Sequence, residues 1–95
     1  MFARTPASVS YAEGARAAEQ GQVVVYWRKG CPFCQRLRLV LGARAKHAVW
    51  VDVWADPEAS AYVKSVNHGD EVVPTVVIEG VPHTNPPPRE VRAAL

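Results

Sequence analysis

Cys31 and Cys34 are the only cysteines in a chain of 95 residues, and two residues separate them. Thiols at that spacing exchange with disulfides or supply half of a zinc site. The loop between them is too short to stabilise a fold much by cross-linking. A disulfide-stapled secreted domain would carry four or more cysteines, more widely spaced. His47, His68 and His83 are scattered, without the compact pairing of structural zinc ligands, so no metal is expected and the histidines read as surface or loop residues. Redox exchange is the chemistry these two thiols fit best.

That chemistry needs a strand, a loop and a helix start. Gln22-Val23-Val24-Val25-Tyr26-Trp27 is a β-branched and aromatic run, apolar on both faces as a central parallel strand is. Arg28-Lys29-Gly30 is the loop. From Pro32, a residue suited to the first helical turn, Leu37, Val40 and Leu41 recur at helical spacing. Cys31 therefore stands where the free N–H groups and the positive end of the helix favour a thiolate. Cys34 lies one turn inside and is expected to be the less exposed of the two. This makes Cys31 the natural nucleophile and Cys34 the resolving thiol. No Asp or Glu lies between Glu19 and Asp52, whereas Arg28, Lys29, Arg36, Arg38, Arg44 and Lys46 do. The cysteines thus sit in a stretch of unneutralised positive charge that would favour an anionic partner.

The rest of the chain supplies the frame. Residues 1–10 read as a loose arm, and Tyr11–Gln20 as a short helix weakened by Gly14. The expected domain runs over 22–95, with 1–21 as an appendage. Ala48–Trp54 is a second strand. Asp56 and Pro57 open another helix as cap and first residue, with Ala59, Tyr62, Val63 and Val66 as its apolar stripe. Val72-Val73-Pro74 enters a third strand, Thr75–Ile78. Glu79-Gly80 turns into an edge strand at Val81–His83, where Pro82 is tolerated. Arg89–Leu95 is a last helical turn or two. Trp50 is expected in the core, and Trp27 beside the motif loop.

Composition excludes other classes. The chain is 48% hydrophobic and 21% charged, ordinary for a globular domain. A net charge of +2 is too small for a nucleic-acid binder. No apolar run approaches the roughly 20 residues that span a bilayer, and the N-terminus lacks a signal-peptide core. A cytoplasmic protein, monomeric and without membrane attachment, is expected.

Cys31-Pro32-Phe33-Cys34 after a strand, with Val73-Pro74-Thr75 about forty residues later, resembles the glutaredoxins over roughly 22–95. The resemblance implies an α/β, thioredoxin-like fold, a four-stranded mixed sheet flanked by helices. It also implies a cis Val73–Pro74 bond facing the cysteines, and a Val73–Pro74 backbone that pairs with a bound thiol. Ser65-Val66-Asn67-His68-Gly69, Val73-Pro74-Thr75-Val76 and Thr84-Asn85-Pro86 are similar to the mycoredoxins of actinobacteria, which use mycothiol in place of glutathione. Those proteins commonly carry Cys-Gly-Tyr-Cys, where this chain has Cys-Pro-Phe-Cys. The Gly-Gly-x-Asp-Asp segment that holds a glutathione carboxylate is replaced by Glu79–Asn85. Mycothiol is uncharged, so Thr84 and Asn85 suit it as neutral donors and acceptors, while Arg28 and Lys29 leave glutathione open.

The function implied is thiol–disulfide exchange, with Cys31 and Cys34 catalytic. Arg28, Lys29, Phe33, Val73, Pro74, Thr84 and Asn85 are the expected small-thiol contacts. Mycothiol or glutathione is the expected reductant, oxidised or thiolated proteins are the substrates, and no cofactor is bound permanently. Two alternatives follow from the same likeness. One is a redoxin fed by a thioredoxin reductase and serving ribonucleotide reductase. The other is a non-enzymatic [2Fe–2S] module, against which Pro32 argues.

Overall fold

The computed structural model describes residues 7–95, so the first six residues of the expected arm lie outside it. Four strands make one mixed sheet: β1 (Val24–Trp27), β2 (Val49–Asp52), β3 (Thr75–Ile78) and β4 (Val81–Thr84), in the order β2-β1-β3-β4. β1 runs parallel to β2 and antiparallel to β3, and β3 pairs antiparallel with β4. All four residues of β1 are buried, as the doubly apolar run requires of a central strand. Pro82 falls on β4, at the sheet edge.

The helices are α1 (Tyr11–Glu19), α2 (Pro32–Leu41), α3 (Pro57–Val66) and α4 (Pro88–Ala93). Period-2 alternation assigns them to faces. Gly14 of α1 lies over Val51 and Val24, and Tyr26 meets Tyr11 of α1 and Tyr62 of α3 at 6.5 and 5.0 Å between ring centroids. On the opposite face, Arg38 of α2 covers the Trp50 ring, whose indole N–H donates to the Ala45 carbonyl at 2.8 Å. Trp50 is buried, as its sequence context implies.

Three features depart from the sequence reading. Gly42 adopts φ 54° and leads from α2 into a 3-10 helix over Gly42–His47, an element the sequence reading does not contain. Residues 8–10 are anchored rather than loose. Ser8 pairs with Trp50, the Val9 N–H donates to the Trp50 carbonyl at 2.9 Å, and Ser10 caps α1. Gly14 is not simply a weak helix residue. A Cβ there would stand 2.7 Å from Val51 Cγ2, so glycine is what lets α1 approach the sheet. Asp56 caps α3 as expected, through the Glu58 N–H at 3.0 Å. It also accepts from the Tyr11 N–H at 2.8 Å and so holds the start of α1. These bonds, the one from Tyr11 first, hold its carboxyl below the usual range.

Candidate active site

β1 ends at Trp27, residues 28–30 turn the chain, and Cys31 is the N-cap of α2. Gly30 takes φ 77° in that turn, a conformation that favours glycine. The Cys34 N–H donates to Cys31 Sγ at 3.3 Å, so an orphan donor of the first turn finds its partner in the sulfur. On the other side, the Cys31 thiol donates to the Val73 carbonyl at 3.5 Å. That carbonyl belongs to the segment preceding β3, where the Val73–Pro74 bond is cis.

Both thiols are free, and each is 4% exposed. The expected difference in exposure is therefore absent. The Val73–Pro74 segment approaches Cys31 closely, and both sulfurs are covered. What distinguishes them is that the first-turn N–H and the Val73 carbonyl both meet Cys31. Burial first, and then the hydrogen bond with Cys31, push the Cys34 thiol up to about 12. Cys34 thus stays protonated at neutral pH. This arrangement can attack a disulfide through Cys31 and deliver a second thiol from within.

The other predicted contacts fall into two groups. Phe33, 55% exposed, and Pro74 and Asn85 line one side of a cavity of about 390 Å³ together with Arg36, Val40 and Arg89. Asn85 has φ 43°, and its N–H donates to the Pro74 carbonyl at 2.8 Å, which ties the end of β4 to the cis segment. Thr84 points elsewhere. Its hydroxyl donates to Asn67 Oδ1, so it is not the free donor the sequence suggests.

Arg28 and Lys29 stand on the other flank. Lys29 is exposed. Arg28 is not an unneutralised cation. Its guanidinium lies 3.5 Å from Glu71 and 5.3 Å from the centre of the Trp54 ring. The Trp54 indole N–H donates to Glu71 at 3.1 Å, and the Ser60 hydroxyl donates to the same carboxylate. These bonds, Ser60 first, hold the Glu71 carboxyl below its ordinary value. Three loops meet in this cluster, and no local sequence signal reports it.

Asn67 is the residue that sequence reasoning missed. Named only within the Ser65–Gly69 segment of the resemblance, it is buried, and its Nδ2 donates to the Val63 carbonyl at 2.7 Å and to Thr75 Oγ1 at 3.1 Å. Thr75 Oγ1 in turn donates to the Val72 carbonyl at 2.7 Å. Asn67 thereby braces the strand start behind Val73–Pro74. Its one legible signal is that a buried polar group after a helix must find partners. Among the described residues, no three His, Cys, Asp or Glu side chains gather into a metal site.

Residues 23–83 match the glutaredoxin family model, well over half of the chain. The chain belongs to the glutaredoxin family. It is a thiol–disulfide oxidoreductase with the thioredoxin-like fold of that family. It is 39% identical to Mycoredoxin 1 of Corynebacterium glutamicum over 74 residues, 77% of this chain and 91% of that protein. It is 36% identical to a glutaredoxin-type protein of Mycobacterium tuberculosis over 74 residues, 77% of this chain and 88% of the other. No helix of the described residues is long and apolar enough to cross a membrane.

Proposed function

We propose that this glutaredoxin-family enzyme reduces mixed disulfides between proteins and a neutral small thiol, mycothiol, with Cys31 as nucleophile. The observation that carries this reading is the placement of Cys31 Sγ between the Cys34 N–H at 3.3 Å and the Val73 carbonyl at 3.5 Å. A substrate sulfur attached there lies beside backbone that can pair with an extended peptide. Similarity to Mycoredoxin 1 supports the choice of thiol. So does the tying of Arg28 to Glu71, which leaves that cation poorly placed for a carboxylate of glutathione.

The Cys31 thiolate attacks the mycothiol sulfur of the mixed disulfide. A Cys31–mycothiol disulfide forms, and the protein leaves as a thiolate that takes up a proton. A second mycothiol thiolate attacks the mycothiol sulfur on Cys31. The products are mycothiol disulfide and the regenerated Cys31 thiolate. In net, one free mycothiol is consumed: the mixed disulfide yields one protein thiol, and its mycothiol leaves joined to the second as mycothiol disulfide. On a disulfide between two protein thiols, Cys34 instead gives up its proton and attacks Cys31. The substrate is released reduced and a Cys31–Cys34 disulfide remains. We place this activity in the cytoplasm, where dithiols are kept reduced.

The test is NADPH consumption on a mycothiolated peptide. Three couplings are compared: mycothiol with its reductase, glutathione with its reductase, and thioredoxin reductase alone. Turnover with mycothiol at least about tenfold above the others is expected, a difference of about 1.4 kcal/mol. Turnover only with glutathione or only with thioredoxin reductase would overturn the choice of thiol.

A further inference from the structure

The cavity beside Phe33 and Pro74 does not end at the active site. A second cavity, also about 390 Å³, adjoins it, and the two share Val40 and Arg89 as walls. Together they form a groove between α2 and α4. It starts next to the cis segment and ends at Arg44 and Arg92. Along α2 alone, from Phe33 to Leu41, it runs about 12 Å at 1.5 Å per residue, the length of about four residues of extended chain. Its floor and lip are apolar, with Phe33 and Val40 both exposed. Pro86, Pro87 and Pro88 give one wall a fixed course.

Its charge has one sign. Arg36, Arg44, Arg89 and Arg92 line it, and no acidic side chain does. Among the described residues, none of these four guanidiniums has a carboxylate within salt-bridge distance. Arg44 reaches only the Arg92 carbonyl, at 3.3 Å. On α2 there is no acid, and the single Glu90 of α4 lines neither cavity. A one-sign groove with exposed apolar contacts complements an acidic segment that carries apolar side chains.

We infer that the α2–α4 groove, beyond the Phe33–Pro74–Asn85 end that faces the small thiol, is the docking site for an acidic, apolar-containing segment of the protein substrate, adjoining the cysteine that carries the mixed disulfide. This rests on the proposed mixed-disulfide chemistry only for its second readout. The first readout is binding. Two fluorescent peptides are made with serine in place of the reactive cysteine and the same apolar residues, one flanked by Asp and Glu and the other by Lys. Anisotropy with the full chain is expected to give the acidic peptide at least about tenfold tighter binding at low salt. The preference should shrink in 0.5 M NaCl. Arg44→Gln/Arg92→Gln and Arg36→Gln/Arg89→Gln should each weaken the acidic peptide by about 3- to 10-fold.

The second readout is turnover of the matching cysteine peptides as mixed disulfides. The acidic one should have the higher kcat/KM. Arg44→Gln/Arg92→Gln should remove that advantage and leave turnover of a small disulfide such as hydroxyethyl disulfide unchanged. Equal binding of the two peptides, or an acidic preference untouched by both double substitutions, would overturn the assignment. So would tighter binding of a single-stranded oligonucleotide that displaces the acidic peptide. If the small disulfide is not turned over, the mixed-disulfide reading fails, and the anisotropy result still decides the groove.

Discussion

Replacing Asn67 with Ala removes a buried side chain whose contacts can be counted. Two bonds from Nδ2, to the Val63 carbonyl and Thr75 Oγ1, lie in the interior. Each contributes about 1 kcal/mol net. The third, from Thr84, ends on an exposed residue and contributes less, since water replaces it. Thr75 keeps its bond to the Val72 carbonyl, whereas the Val63 carbonyl loses its side-chain donor. The sum is about 2–3 kcal/mol, a large part of the roughly 5–15 kcal/mol that holds a domain folded. For a chain of this size each kcal/mol moves Tm by about 4–8 °C, so Asn67→Ala should melt about 10–20 °C lower. Urea unfolding should show a lower midpoint with unchanged slope. Asn67→Asp keeps the acceptor for Thr84 but loses the donor, and should be no more stable than the alanine variant. A loss below about 0.5 kcal/mol for Asn67→Ala would refute the bracing role.

Three further outcomes follow from named contacts. Gly14→Ala gains up to about 1 kcal/mol of helix propensity, yet its Cβ meets Val51 Cγ2 at 2.7 Å. Overpacking of about 1–3 kcal/mol should win, and Tm should fall rather than rise. The Cys34 thiol is raised to about 12 by burial, so the stability it contributes is present below the unfolded value near 9 and is lost as pH rises from about 9 to 12. Chemical denaturation across that range should show the decline, and Cys34→Ala should flatten it. The Asp56 carboxyl is depressed by the Tyr11 and Glu58 N–H groups, so its contribution is present above about pH 4 and lost on acidification. Asp56→Ala should weaken that acid dependence and expose α1 amides to faster hydrogen exchange.

What was legible in the sequence is local. Pro32 after Cys31 marks the start of α2, Asp56-Pro57 marks the start of α3, and the valine runs mark the buried strands. These signals act within one turn or one strand and survive without tertiary context. The cis Val73–Pro74 bond came into view only through family likeness, since composition around Pro74 does not specify it. The remaining features depend on distant segments. Arg28 looked unneutralised because Glu71, its partner, is more than forty residues away. Thr84 looked available because Asn67, its acceptor, belongs to the end of α3. The equal burial of Cys31 and Cys34 follows from the approach of the Val73 segment, which no spacing within the Cys-x-x-Cys motif reports. Tertiary contact also turned Gly14 from a helix defect into a packing requirement.

The central claim, that Cys31 attacks and Cys34 only resolves, is tested most directly by trapping. Cys34→Ser and Cys31→Ser proteins are each incubated with a mycothiolated peptide, quenched by alkylation and mapped by mass spectrometry. The account predicts a mycothiol adduct on Cys31 of the Cys34→Ser protein, with continued turnover, and neither adduct nor turnover in Cys31→Ser. An adduct on Cys34, or full turnover by Cys31→Ser, would contradict it.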